Sequence, residues 1–245
     1  MSNEKVIPII DVPYGKIAPR VVVCGDPERA KAISQRLDNV EVVAQSREYW
    51  TYVGEYKGVP VTVSSHGVGG CGASISFEGL ILGGAKVIIR VGTCGSLQKE
   101  LPAGTLIIAT AACREDGITS QMIPQSYPAV ASYDVVMEMQ KAAANTDAFY
   151  KTGVITTSGI FYKEHMPTNN ILFSQAGVLA MENEASVLFV VCGLHNVKCG
   201  CIIAADGPCF ELVGSDDFDH YPEGMDKAKY DEITIALESI INVSI

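Results

Sequence analysis

With 245 residues and a mass of 26.1 kDa, the chain is long enough for one large α/β domain or two small ones, and no linker favours two. A hydrophobic content of 48%, a charged content of 19% and the lack of repeats or low-complexity segments exclude a disordered chain. The net charge of −10 and pI of about 4.8 argue against non-specific binding to nucleic acid or anionic membrane, so arginines gathered at one site would serve a small anion.

The eight cysteines (24, 71, 94, 113, 192, 199, 201 and 209) fall mostly in apolar or glycine-rich runs and read as reduced thiols packed as small hydrophobes. Cys199 and Cys201 stand too close together for a zinc-ribbon pair and have no second pair, so no metal site is expected. The first five residues lack the charged region and apolar core of a signal peptide, and no apolar run approaches membrane-spanning length. A cytoplasmic location is the expectation.

Residues 20–24 form a first buried strand, and Gly25-Asp26-Pro27-Glu28-Arg29 turns from it into a helix with proline in its first turn. Gly25 lets backbone approach a ligand, the helix N-terminus favours negative charge, and Arg29 is placed to face the same anion. A plain turn with Asp26 as its cap explains the motif equally. Residues 41–65 alternate polar and apolar around Gly54 and Lys57-Gly58, the pattern of antiparallel strands or a hairpin. Within them Arg47 reads by default as a solvated strand residue. Residues 61–65 end in His66-Gly67-Val68-Gly69-Gly70, a glycine-rich loop before a small-residue helix over 71–83. His66 reads as a group satisfying backbone under that loop rather than as a catalyst.

Residues 84–96 are the centre of the pattern. Val87-Ile88-Ile89 predicts a buried parallel strand that delivers Arg90 to its C-terminal end, with Gly92, Thr93, Gly95 and Ser96 as the following turn. A cationic fork beside hydroxyls and close backbone N–H groups suits an oxyanion, while a salt-bridged arginine before an ordinary turn reads as well.

Further strands are predicted at 105–112 and 151–157, separated by a polar loop over 113–128 and a helix over 132–145. Ser158-Gly159-Ile160-Phe161-Tyr162 opens another loop, where Phe161 either stacks on a planar base or joins the core. Residues 177–181 form a short strand that ends at Met181 and leads through Glu182-Asn183-Glu184 into a helix over 185–194. The two carboxylates suit vicinal hydroxyls of a ribose, or simply favour the helix start. The last buried strand, 198–205, ends in Asp206-Gly207-Pro208, and a carboxylate among apolar walls could have a raised pKa and act as a general acid. Residues 211–223 read as an acidic loop and 225–241 as a closing amphipathic helix. Strand ends that open into glycine-rich loops point to one crevice at the carboxyl edge of a sheet.

Gly25-Asp26-Pro27-x-Arg29, Arg47-Glu48-Tyr49, His66-Gly67-Val68-Gly69 and Arg90-x-Gly92-Thr93-x-Gly95-Ser96 stand in an order and spacing that resembles the hexameric-type nucleoside phosphorylases, the family of bacterial and protozoan purine nucleoside phosphorylases and of uridine phosphorylases. The resemblance spans nearly the whole chain and is nearest to the protozoan purine enzymes. It implies an α/β fold, residues 1–245 as a single domain with a central mixed, twisted β-sheet flanked by helices. By the same resemblance Gly25, Arg29, Arg90 and Thr93 would hold phosphate, joined by Arg47 from an adjacent subunit of a homohexamer built as a trimer of dimers. Val68, Phe161, Met181, Glu182, Asn183 and Glu184 would contact the nucleoside, with Glu184 on the ribose hydroxyls and Phe161 facing the base. Asp206 would protonate or hydrogen-bond N7 of the leaving purine. No cofactor is implied, because phosphate is a co-substrate. The implied role is cytoplasmic purine salvage.

Two departures stand out. Family members usually have Glu-Met-Glu where this chain has Glu182-Asn183-Glu184. The family's N-terminal histidine, lent by a neighbour to the sugar 5′-hydroxyl, has no counterpart, Ile9 standing near its place. Its loss predicts greater tolerance of 5′-deoxy or 5′-methylthio substrates than a histidine-bearing relative shows, a comparison made on kcat/KM. Asp206 favours purine, as does Lys163-Glu164-His165-Met166, which lacks the glutamine and arginine that read uracil in uridine phosphorylases. Against this, no arginine follows Asp206 closely. A uridine phosphorylase is the alternative enzyme, a nucleosidase ranks lower given three arginines, and a non-catalytic nucleoside-binding or storage protein is the alternative of another class.

Overall fold

A computed structural model describes residues 5–162, 169–208 and 222–245 of the chain. The predicted first strand is β1 (Arg20–Cys24), whose four buried apolar residues precede α1 (Pro27–Ser34), opened by Pro27 and capped by the Asp26 side chain accepting from Glu28 N–H at 3.0 Å. The alternating segment becomes an antiparallel meander, β2 (Asp38–Ser46), β3 (Tyr49–Tyr56) and β4 (Val59–Ser65). It is followed by α2 (Gly70–Leu82), β5 (Val87–Ser96), β6 (Leu106–Glu115), β7 (Ala129–Val130) and α3 (Tyr133–Ala143). Beyond these lie β8 (Tyr150–Ser158), α4 (Asn170–Gln175), β9 (Ala180–Glu182), α5 (Ala185–Leu194), β10 (Lys198–Pro208) and α6 (Met225–Asn242).

All ten strands join one mixed sheet, ordered β10-β6-β8-β9-β5-β1-β4-β3-β2, with β7 on β6 and a further pairing of β10 to β5. That last pairing closes β5, β10, β6, β8 and β9 into a ring, a closure the pattern of strands did not foretell. Alternate residues of the central strands face opposite helix layers, as a two-residue side-chain period requires. Val21, Val23 and Ile88 pack toward Phe77 and Leu80 of α2 and Val187 and Leu188 of α5. Val22, Val87, Ile89 and Val91 pack toward Ile33 of α1, Met139 of α3 and Ile235 and Leu237 of α6. Among the described residues no helix is long and apolar enough to cross a membrane.

The segment expected to be a glycine-rich turn after Arg90 is strand instead. β5 runs on to Ser96, and Arg90 is the fourth of its ten residues rather than its end. The reason is a partner: β10 pairs with it in parallel from Lys198↔Val87 to Pro208↔Ser96, supplying ladder hydrogen bonds that local propensity for Gly92 and Gly95 does not suggest. The polar loop expected over 113–128 likewise starts later, because β6 continues to Glu115 in register with Ser158 of β8. The acidic loop read over 211–223 and the 163–166 segment lie outside the described residues, apart from Pro222 and Glu223.

Candidate active site

A gap in the sheet creates the site. β1 accompanies β5 only as far as the pair Val23↔Arg90, and β9 takes its place only at Gly95 and Ser96. Between these points one edge of β5 has no neighbouring strand, and a cavity of about 610 Å³ opens there. The loops after β1, β4, β8 and β9 and the end of β10 converge on it, the usual position for a ligand at a point where strand order changes. Its walls include Gly25, Arg29, Val68, Arg90, Thr93, Phe161, Met181, Glu182, Asn183, Glu184 and Asp206. Arg47 is not among them. It sits exposed in the two-residue turn between β2 and β3 at a φ of 53°, while the next residue, Glu48, does line the cavity. Ile9 also lies away from the walls, about half exposed in the N-terminal turn.

Arg90 is the buried centre. Its guanidinium donates to Glu182 Oε2 at 3.1 Å, to Glu184 Oε2 at 2.5 Å and to the carbonyl of Val91 at 3.1 Å. Burial works against its charge, but Glu184 and Glu182 outweigh that and hold it protonated above the ordinary arginine range. The fork lies over Gly92, where a Cβ would collide with it.

The two acids that flank Asn183 divide the roles the sequence left open. Glu182 is committed to structure: it accepts from the Thr157 hydroxyl at 2.5 Å and from the backbone N–H groups of Glu184 and Ala185 at 2.8 and 2.9 Å, capping α5 while pairing with Arg90. Glu184 instead joins two loops, accepting from Gly69 N–H at 2.6 Å on one oxygen and from Arg90 on the other. Each of its oxygens has one of these partners, and as a lining residue of the cavity Glu184 has acceptor capacity left for hydroxyl donors.

Among the cavity walls, Gly25, Arg29 and Thr93 offer backbone, a cation and a hydroxyl suited to an oxyanion. Arg29 pairs at 3.5 Å with Glu232, a residue of α6 that sequence reasoning passed over. The signal was present: Ala228, Glu232, Ile235 and Ser239 share one buried helix face, so an acid stands within an apolar stripe. Asp206, which lines the same cavity, is the extra residue of a β-bulge, because Ala205 pairs with Cys94 and Gly207 with Gly95. A bulge re-aims a side chain, here toward the cavity. Burial pushes the Asp206 carboxyl up to about 6, against its own backbone N–H and Lys229. Phe161 also lines the cavity, 49% exposed and edge-on to Tyr162. Asn183 donates to the Ser158 carbonyl at 2.6 Å, which ties the turn between β9 and α5 to the end of β8, before the loop bearing Phe161.

His66 takes the structural role read from sequence. It is fully buried, with Nδ1 2.8 Å from the Gly67 carbonyl and its ring edge-on to Phe77. Burial, then the charge of Arg90, lowers its pKa well below the ordinary histidine value, so it is neutral. Cys24, Cys71, Cys113, Cys192, Cys199 and Cys201 are free thiols.

The sequence profile of the phosphorylase superfamily matches residues 19–238. The chain is 36% identical over 234 residues to the purine nucleoside phosphorylase of Plasmodium vivax, a match covering 94% of each chain. It is also 36% identical over 202 residues to the uridine phosphorylase of Thermococcus kodakarensis, covering 78% of this chain and 73% of that one. The solved purine nucleoside phosphorylase of Toxoplasma gondii in complex with immucillin-H has a TM-score of 0.92 to this fold at 30% identity, covering 99% of this chain and 98% of its own.

Proposed function

The chain belongs to the phosphorylase superfamily, and we propose that within it the chain is a purine nucleoside phosphorylase, converting a purine (deoxy)ribonucleoside and phosphate to free base and (deoxy)ribose 1-phosphate. The observation that carries the purine reading is Asp206, a carboxyl aimed into the cavity by a bulge and poised within about a unit of neutrality. A departing purine gains stability from a proton or hydrogen bond at N7. Uracil has no such atom, and its negative charge is better met by amide or guanidinium donors.

In this reading phosphate binds against Gly25, Arg29, Arg90 and Thr93 and attacks the anomeric carbon. Glu184 accepts the ribose hydroxyls, with Val68, Met181, Glu182 and Asn183 forming the sugar walls, and Phe161 faces the base. As the glycosidic bond breaks, positive charge on the sugar is stabilised by the phosphate oxygens and negative charge on the base by Asp206. The chemistry requires no metal or redox cofactor, since phosphate itself is the nucleophile. Arg47, exposed on its turn, serves the site of a neighbouring copy in a homohexamer, and residues 1–245 act as one domain. A place in cytoplasmic purine salvage accords with this activity.

The uridine phosphorylase reading is kept because relatives of that name are as similar as the purine ones. Release of base from inosine, uridine and 5′-methylthioadenosine, each with and without inorganic phosphate, tests both. Phosphate-dependent release from inosine is expected. Phosphate-dependent release from uridine alone would overturn the role given to Asp206. Release without phosphate would indicate a nucleosidase, and no release a binding or storage protein.

A further inference from the structure

The chemistry above leaves Glu232 unused. Its side chain is 0% exposed in the middle of α6, and neither carboxyl oxygen completes a hydrogen bond among the described residues. An ionised carboxylate so placed is strongly disfavoured unless a cation compensates it. The cation at hand is Arg29, 3.5 Å away, whose other side faces the cavity.

The groups facing Glu232 come from every neighbouring element that carries charge. They are Arg29 beyond the end of β1, on α1; Arg90 and the Gly92 N–H of β5; Lys229 one turn earlier on α6; and the thiols of Cys24 on β1 and Cys201 on β10. Burial pushes both thiols up, Cys24 to about 12, so they remain uncharged at neutral pH. From α3, Glu138 and Lys141 pair with each other at 2.6 Å farther along the helix. Burial pushes the Glu232 carboxyl up to about 8, against Arg29 and Arg90.

Charge decides the consequence. Ionisation of Glu232 adds one negative charge 3.5 Å from Arg29, a lining residue of the cavity. A doubly charged anion would therefore meet one more unit of negative charge when Glu232 is ionised than when it is protonated. Resting on the phosphate site proposed above, we propose that Glu232 sets the anion affinity of the cavity through its proton. Protonated, it leaves the charge of Arg29 to a tetrahedral oxyanion. Ionised, it claims Arg29, and the oxyanion then binds only with uptake of one proton from solvent.

Sulfate is the probe, because it carries two charges throughout the range and does not titrate. Calorimetric titration of the whole protein at pH 8.5, in two buffers of different ionisation enthalpy, is expected to show most of one proton taken up per sulfate bound. The wild-type Kd should weaken about tenfold between pH 7 and 9, as linkage to a carboxyl near 8 requires. Glu232→Gln, isosteric and permanently neutral, should take up no proton, change by less than about twofold over that range and bind more tightly than wild type at pH 9. Glu232→Met gives the same expectation should the glutamine variant not fold, since an unbranched apolar side chain of similar length fits the same space.

Wild-type binding without proton uptake, or uptake that persists in Glu232→Gln, overturns the proposal; a purely structural Glu232 would weaken affinity equally at every pH. If phosphate-dependent base release is present and proton uptake is not, this inference falls and the phosphorylase reading stands. If the wild type binds neither sulfate nor phosphate, both fall.

Discussion

Gly92→Ala places a methyl group where the Arg90 guanidinium lies. The added Cβ would sit 3.0 Å from Cζ and 3.1 Å from Nη2, and closer still to Nη1. The far end of an arginine ordinarily swings aside at little cost, but this one is held by Glu182, Glu184 and the Val91 carbonyl and is only 3% exposed. Moving it strains three hydrogen-bonded contacts in a dry site, so the upper part of the usual overpacking range, about 1–3 kcal/mol, applies. Taken as about 2–3 kcal/mol, that corresponds for a chain of this length to a fall in Tm of about 4–12 °C. If the proposed function holds, displacing this cation, which it sets against phosphate and ribose, should also lower kcat/KM for phosphorolysis about a hundredfold, with the greater share in kcat. Thermal unfolding and initial rates on inosine at saturating phosphate measure the two effects. A variant with wild-type Tm and kcat/KM would refute the reasoning, because it would mean that the guanidinium is not fixed where the contacts place it.

The other expectations concern the base end and the loop beneath. Asp206→Asn should lower kcat on inosine by about 10²–10⁴-fold and remove the decline of activity above pH 6 that loss of its proton produces. The same change should raise stability at pH 7.5 by about 1–2 kcal/mol, discounted for partial exposure, since asparagine escapes the burial cost of an ionised carboxylate; an unchanged Tm would place the carboxyl in water. Phe161→Ala should leave Tm nearly unchanged, as the ring is 49% exposed, while raising nucleoside KM by about 5–150-fold, the equivalent of a lost base stack. His66 should show no imidazole titration by NMR between pH 5 and 8. Its depressed folded-state pKa means that the stability it permits is lost as pH falls below the unfolded value of about 6.5, and a titration midpoint near 6.5 in the folded protein would contradict its burial.

Much of this architecture could be read from the chain because buried parallel strands announce themselves as short β-branched runs, and residues 20–24 and 87–89 do so plainly. The residues around the cavity were legible for a related reason: a cation or acid at the end of an apolar run is conspicuous, as Arg90 and Asp206 are. What could not be read depended on partners distant in sequence. Gly92 to Ser96 looks like a loop until β10, more than a hundred residues later, pairs with it. Glu182 and Glu184 are the same residue type two positions apart, and only the meeting of β9, α5 and the Gly69 loop assigns one to capping and the other to the cavity. The bulge at Asp206 leaves no local mark either, since it arises from a register shift against Cys94 and Gly95.

Asp206 of the cavity wall and Glu232 behind Arg29 share one thermodynamic sign. A carboxyl whose folded-state pKa lies above its unfolded value binds its proton more tightly in the native chain. The stability it allows is therefore fully present below the unfolded pKa and is lost as pH rises through the folded one. For Asp206 the loss runs from 3.8 to about 6, so at neutral pH the fold already bears all of it; for Glu232 it runs from 4.5 to about 8, so at neutral pH the fold bears the larger part and the remainder is lost as pH rises to 8. An apolar side chain would fill the same place in α6 without that liability. The position of Glu232 is accounted for by what it does to Arg29, whose charge it leaves to an arriving oxyanion while protonated and compensates when it ionises. Burial thus raises the proton affinity of both carboxyls: of Asp206, for which the proposed function asks a hydrogen bond to the leaving base, and of Glu232, beside the arginine proposed to meet an oxyanion.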